Sequence, residues 1–414
     1  MRHPGQDPSR STPPPPQLLR RTNMSAVLDH AWDVPTFTAT DAMTATGLTR
    51  ATVLARADDL VRLGWLREVE DHRPPGGATK GRPARHYAFE PRAGYVLGVD
   101  AGQHRVTACV ADLRGGVLAR AERTQRDDED AASRVAVTRA AVAEALDAVG
   151  ADDRAVLVTV VGIPAPADDR GRSPAGQDGY WPRMNADLAT ELAAGRTVVD
   201  NDANLAAIAE GSVGAGVGAS SFVALLSGER FGAGLIVDGT LLRGRHGGAG
   251  ELHLLDLVED VGSADGLGFV ARAWAQEAID AGDVPPGSLM RRRAAEPAEL
   301  VDVVEAAQAG EEAAAAIVDR LGERLARVAA VLTGLLDVER VIVAGALAQA
   351  AGPIVESAAA KLPAHTHLPV PTLVASTLGA DSVTLGAVHR GVAMVRADPL
   401  RFELPELAGV AAHA

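Results

Sequence analysis

Apolar residues recur at helical spacing through LLRRTNMSAVLDHAW (residues 18–32), which predicts a first helix. The next stretch, TATDAMTATGLTRATVLARADDLVRLGWLREV (38–69), reads as helix, tight turn and helix. Gly47 marks the break, and Thr49 has the residue type and position of an N-cap for the second of the two. On that helix Val53, Leu60 and Leu63 fall where they can face a core, while Arg50, Thr52 and Arg56 fall on exposed faces near its start. WLREVE (65–70) and HYAFE (86–90) then read as antiparallel strands joined by the Gly- and Pro-rich tip DHRPPGGATKGRPAR.

From residue 91 the pattern changes. YVLGVD, RVTACVADL and VLARAERT predict a three-stranded meander with a turn at Arg114–Gly116, followed by a helix over SRVAVTRAAVAEALDAV. AVLVTVVGIP is apolar throughout, as a strand buried on both faces would be. TVVDNDANLAAIAEG ends a strand in Asp200-Asn201-Asp202 and opens a helix. A second set of hairpins begins at SFVALLSGERFGAGLIVDGTLL, and long helices then alternate with the strands RVIVAGA and PTLVAS. LGERLARVAAVLTGLLDV, apolar around much of its circumference, reads as a buried core helix. Two meander-plus-helix halves in tandem predict an α/β fold with a cleft between lobes.

Composition bounds this picture. A chain of 414 residues with 47% apolar content holds two or three domains with sizeable interiors. No stretch approaches the ~18 uninterrupted apolar residues of a membrane span. The opening MRHPGQDPSRSTPPPPQ (1–17) reads as a disordered tail without the apolar centre of a leader, and a cytoplasmic location is expected. Cys109 is the single cysteine, which excludes an internal disulfide and a multi-cysteine zinc site. Net charge is −14, but residues 1–90 carry 12 Lys+Arg against 10 Asp+Glu. The near-neutral head, not the acidic remainder, is the part suited to a polyanion.

The head's charges sharpen that expectation. The hairpin tip carries Arg73, Lys80, Arg82 and Arg85 and, over residues 72–86, no acid. A basic hairpin after helix–turn–helix has the form of a wing that contacts phosphates, with base reading left to the second helix through Arg50, Thr52 and Arg56. A solvated helical hairpin and loop is the alternative. In the remainder, LGVDAGQHRV (97–106) has the outline of a phosphate-gripping turn but bears Gln103 and His104 where backbone amides need small neighbours. With only Lys80 and Lys361 as lysines, no GxxxxGK[ST] loop exists.

The chain resembles the ROK family, which groups sugar kinases with sugar-responsive repressors on the actin/hexokinase-like fold. VVDNDANLAAIAEG is similar to the family's xxENDANAAAxGE stretch, LLRGRHGGAGELHLL to LLRGxxGxAGEIGH, and GRPARHYAFEPRAGYVLGVDAG to the wing-to-body junction of its repressors. The resemblance implies an N-terminal winged helix-turn-helix domain (18–90) followed by a two-lobed effector-binding and oligomerisation body (91–414). It places Asp202 where the kinases keep their general base, and Asn201 and Glu251 where the family binds the sugar ring. His253 lies one residue from the family's zinc-binding His, whose aligned position holds Leu254; it is counted with the sugar-binding candidates, an ordinary part-exposed histidine being the alternative. For Asn201 and Asp202 a second reading stays open, that they cap the helix which follows.

The departures from the family are as informative. DxGGTK becomes Asp100-Ala101-Gly102-Gln103-His104-Arg105, and GTGxGxG becomes Gly228-Glu229-Arg230-Phe231-Gly232-Ala233-Gly234. These changes imply degenerate ATP loops at Asp100, Gly102, Gly232 and Gly234, with Glu229 set to repel a γ-phosphate. The CxCGxxGC zinc run has no counterpart in DLVEDVGSADGLGFVARAW. The expectation is therefore a transcriptional regulator without zinc or ATP–magnesium. It would be a homodimer or homotetramer on a pseudo-palindromic DNA operator, with a sugar or sugar derivative as effector. A sugar kinase bearing a DNA-binding head, and a DNA-binding scaffold with no ligand, are the rival readings.

Overall fold

The computed structural model describes residues 16–70, 84–126, 130–176, 179–192, 194–292 and 297–405. The chain divides into two compact units. The first contains α1 (Pro16–Asp33), β1 (Phe37–Thr38), α2 (Ala39–Thr46), α3 (Arg50–Arg62), β2 (Leu66–Val69) and β3 (His86–Phe89). Its sheet has the order β1-β3-β2, all antiparallel. The sequence pattern did not announce β1, two residues that pair with β3.

Local chemistry explains the two short helices. Thr38 opens α2 with a reciprocal capping box to Asp41, and Gly47 closes it at φ 69°, a conformation glycine adopts without penalty. Thr49 then caps α3 by accepting from the Thr52 amide. Although aromatics make up only 3% of the chain, the core of this unit rests on Trp32, Phe37, Trp65, Tyr87 and Phe89, all buried. Trp32 stacks on Phe89 at 4.3 Å between centroids, and large rings suit a domain too small to bury many residues.

The sequence pattern closes the head at residue 90, but the compact unit also takes in Asp112–Arg114 and residues 394–405. The Trp32 indole N–H donates to the Leu113 carbonyl at 3.1 Å, and Arg396 pairs with Asp29 and Asp33 at 2.9 and 2.6 Å. Such long-range partners leave no local trace in a sequence.

The second unit is built from two similar sheets. β4 (Tyr95–Ala101), β5 (Arg105–Ala111) and β6 (Val117–Thr124) form the expected meander, followed by α4 (Ala131–Asp147) and β7 (Val156–Ile163). Two short helices, α5 (Tyr180–Asn185) and α6 (Leu188–Glu191), precede β8 (Arg196–Asn201), which runs parallel to β7. The sheet order is β6-β5-β4-β7-β8. All eight residues of β7 are buried, whereas the edge strand β6 exposes Arg120, Glu122 and Arg123 in part or fully.

After α7 (Asp202–Val213) the plan repeats with β9 (Phe222–Ser227), β10 (Phe231–Val237) and β11 (Thr240–Leu242). Then come α8 (Leu267–Ala281), α9 (Leu300–Gln308), α10 (Glu312–Leu336), β12 (Arg340–Ala344), α11 (Gly352–Lys361), β13 (Thr372–Ala375) and α12 (Ser382–Ala397). This sheet has the order β11-β10-β9-β12-β13, with β12 parallel to both neighbours. The buried core helix anticipated at 321–338 is the C-terminal part of α10, whose Leu321, Leu325, Val328, Ala329 and Leu332 pack into the main core.

Candidate functional site

α7 runs between the two sheets of the second unit, and its first turn is where the candidate site is built. Asn201 ends β8 and caps α7, its side-chain oxygen accepting from the Asn204 amide at 3.2 Å while its amide donates to the Ala165 carbonyl at 3.3 Å. The capping reading thus holds for Asn201, which is buried. Asp202, next in sequence, is half-buried and its carboxylate accepts from the Ala203 amide at 2.7 Å. Burial, together with the charges of Asp100 and Glu251, pushes the Asp202 carboxyl up to about 8. Burial likewise raises Asp100 to about 6 and lifts Glu251 above the usual carboxylate range. Asp202 thus feels the charges of both Asp100 and Glu251.

Glu251 reaches that neighbourhood through glycine. Gly250 at φ 91° lays the 247–251 loop on β10, where an added Cβ would meet the Ala233 carbonyl oxygen at 1.8 Å. Glu251 then bridges Gly232. His253 is exposed, and its Nδ1 lies 3.2 Å from the Arg230 guanidinium; His253 and Arg230 both draw the Glu251 carboxyl back down.

The glycines assigned to ATP loops differ in how closely their neighbours approach. A Cβ on Gly234 would lie 2.1 Å from the Ala203 carbonyl oxygen, so β10 and α7 touch backbone to backbone. On Gly232 it would make ordinary contact with Ala203 at 3.4 Å, and on Gly102 it would press on the Arg105 carbonyl oxygen at 2.9 Å within a tight turn. The turn after Gly102 is tied down from outside, with the Tyr180 hydroxyl 3.0 Å from the Gln103 amide oxygen. Arg134, only 2% exposed, anchors the same region by donating to the carbonyls of Ala101 and Met184. Glu229 differs from expectation: it pairs with Arg272 on α8, so its charge is compensated rather than aimed at a phosphate.

The donor set for the family's zinc does not fit. His253 faces Arg230, Asp256 accepts from the Ala264 amide at 3.0 Å, Asp265 accepts from the Ser263 hydroxyl at 2.8 Å, and Cys109 is buried in β5. Among the described residues no group of three or more His, Cys, Asp or Glu is placed to hold a metal.

In the first unit Arg50 is exposed at the start of α3 and Thr52 is half-exposed, its hydroxyl 2.9 Å from that of Thr49. Arg56 departs from the sequence reading. It is largely covered and turns along the helix to Asp59 at 3.1 Å, because that carboxylate lies one turn ahead on the same face. Leu63, expected in the core, is half-exposed at the end of α3. Arg85 grips Glu68 through two hydrogen bonds of 2.9 and 2.7 Å and also pairs with Asp58 at 2.8 Å, so its fork already serves the base of the hairpin. Arg73, Lys80 and Arg82 lie outside the described residues.

The ROK family profile matches residues 96–390, most of the chain and both sheets around this site. The chain belongs to the ROK family. It is similar to the transcriptional dual regulator NagC of Escherichia coli, 24% identical over 319 residues that cover 73% of this chain and 75% of that one. It is also similar to a glucokinase of Halalkalibacterium halodurans, 28% identical over 171 residues, and spans about half the length of that relative. The fold matches a ROK transcriptional regulator homologous to the E. coli MLC protein with a TM-score of 0.72 and 21% identity, over 93% of this chain and 99% of that one. It matches a Streptomyces griseus ROK glucokinase solved with glucose and AMPPNP at 0.61 and 25% identity, over 71% of this chain and 98% of that one. No helix among the described residues is long and apolar enough to cross a membrane.

Proposed function

We propose that this ROK protein is a DNA-binding transcriptional repressor of sugar-related genes, whose kinase-like body binds a sugar effector and no longer transfers phosphate. The observation that carries the reading is the capped helix–turn–helix of α2 and α3 with its flanking hairpin, N-terminal to the ROK region. The fold likeness to a regulator spans 93% of the chain, against 71% for a kinase, which supports it. Arg50 and Thr52 would read base edges from α3, and Arg73, Lys80 and Arg82 would neutralise phosphates.

Loss of phosphoryl transfer rests on the two turns. Gln103 is tied to Tyr180, and Arg230 stands where an amide would have to approach the γ-phosphate. A carboxyl raised to about 8 is mostly protonated at neutral pH, which suits Asp202 to donating a hydrogen bond to a sugar hydroxyl. As a homodimer or homotetramer, the protein would set its heads on a pseudo-palindromic operator, and the effector would bind two lobe arrangements unequally. Switching from mostly bound to mostly free needs a differential affinity of ~10³–10⁴, about 4–5.5 kcal/mol.

Gel-shift titration over several salt concentrations tests this. Arg82→Ala should weaken binding to every sequence and lower the salt slope by about one, and Arg50→Ala should also relax sequence preference. A kinase reading is kept alive by Asp202 and Asp100. Phosphorylation of hexoses or amino sugars with ATP–magnesium that is abolished by Asp202→Asn would replace our reading with it.

A further inference from the structure

Arg324, on the inner face of α10, is 3% exposed and has no carboxylate partner within ion-pair distance among the described residues. Its Nε donates to the Val261 carbonyl at 3.1 Å, and one terminal nitrogen donates to the carbonyls of Ser263 and Asp265 at 2.8 and 2.7 Å. The guanidinium carbon stands 5.1 Å from the centroid of the Phe231 ring. Burying a cation is costly, and the planar fork offsets that cost only by meeting several acceptors at once. Three carbonyls drawn from five consecutive residues onto one guanidinium is an arrangement that a chance core arginine would not need.

The loop so gathered is stitched to the candidate site. Phe231, the first residue of β10, donates its amide to the Ala264 carbonyl at 2.8 Å; Gly266 donates to the Glu229 carbonyl at 2.8 Å; and Arg230 bridges Asp265. One turn along α10, Arg327 pairs with Asp260 at 3.2 Å and holds the same loop from its outer side. The segment 258–266 lies within DLVEDVGSADGLGFVARAW (256–274), the stretch that corresponds to the family's zinc run, and its own side chains do not supply that donor set.

We propose that the buried guanidinium of Arg324 fastens the 258–266 loop in place of a metal ion, and thereby positions Arg230 and His253 at the rim of the candidate site. A metal fastens such a loop by collecting anionic side chains. Arg324 does it with the charges reversed, a cation collecting backbone carbonyls. Two consequences follow: the loop's order is indifferent to chelators, which separates this from a metal site, and it depends on hydrogen-bond donors at position 324 rather than on side-chain volume, which separates it from ordinary core packing.

Amide hydrogen exchange on the full-length protein reads both. In the wild-type protein, dialysis against 1,10-phenanthroline should leave exchange in 258–266 unchanged, and elemental analysis should find no stoichiometric zinc. Arg324→Met, similar in length but without donors, should speed exchange in 258–266 and at Arg230 by about tenfold or more, with β7 and β12 unaffected. Arg324→Lys should restore part of that protection, and millimolar guanidinium added to Arg324→Ala should restore it where equal ammonium does not. Stoichiometric zinc whose removal frees the loop would overturn the proposal, as would unchanged exchange in Arg324→Met. Should Arg324→Met fail to fold, the lysine variant and the chelator measurement decide alone: full protection lost with lysine, or lost with chelator, counts against it.

Discussion

Asp200 and Asp202 flank Asn201 at the β8–α7 junction and occupy opposite surroundings. Asp200 is 1% exposed and fully engaged: Arg243 reaches it at 3.0 Å, Arg390 pairs with it, and its other oxygen accepts from the Asn201 amide and the Asn204 side chain at 2.9 and 3.1 Å. Asp202 has backbone donors in the Ala203 amide and its own, and two carboxylic neighbours that raise its affinity for a proton. The contrast separates scaffold from site. A buried charge surrounded by cations holds the junction in place, whereas the half-buried Asp202 makes no ion pair among the described residues, and under the proposed function it is left to a ligand. The first unit repeats the scaffold pattern in Asp59, 4% exposed, which is shared by Arg20 at 2.9 Å, Arg56 at 3.1 Å and Arg62.

The largest effect should come from removing the engaged acid. Asp200→Ala leaves Arg243 and Arg390 without their counter-charge and is expected to cost about 3–5 kcal/mol, measured as the change in urea unfolding free energy. A cost below about 1 kcal/mol would erase the distinction between the two aspartates. Asp59→Asn should cost less, about 1–3 kcal/mol, because two of its three arginines are half-exposed or more.

Asp202→Asn should act in the opposite direction and depend on pH. The folded protein holds the Asp202 proton up to about 8, whereas the unfolded chain releases it near 3.8. The stability contributed by that proton is complete below about pH 4 and is lost as pH rises towards about 8. Asparagine cannot ionise, so the variant should be about 1–2 kcal/mol more stable than wild type at pH 8.5 and nearly equal at pH 4, a figure reduced for the partial access of water to the site. Thermal unfolding at the two pH values measures it, and a variant less stable at pH 8.5 would show that Asp202 is held ionised.

Much of this was legible in the sequence. The helix–turn–helix could be read because its signals are local: Gly47 at a left-handed turn and a threonine three residues before the amide it caps. The two meanders could be read because strand periodicity and apolar runs reach the surface of the text directly. Arg56 and Leu63 were misassigned because helical periodicity fixes a face but not which neighbour fills it, and Asp59 drew Arg56 inward. The phosphate turns were read as degenerate, but what ties them down was hidden, since Tyr180 lies 77 residues from Gln103 and Arg272 lies 43 from Glu229. The glycines were read by motif, and the reason for Gly234, the touch of β10 on α7, needs both elements in place.

By itself, then, the order of residues determined the two-part plan, the longer strands and helices, the basic composition of the hairpin and the acids at the β8–α7 junction. These depend on interactions within a few residues or on composition, which a linear text preserves. Only the tertiary structure decided which acid is held by arginines, which glycine is there for a backbone contact, and that Arg324 gathers the 258–266 loop. Those depend on through-space distances of 2–5 Å between residues far apart in the chain, and the free energy of a buried charge changes sign with its neighbours.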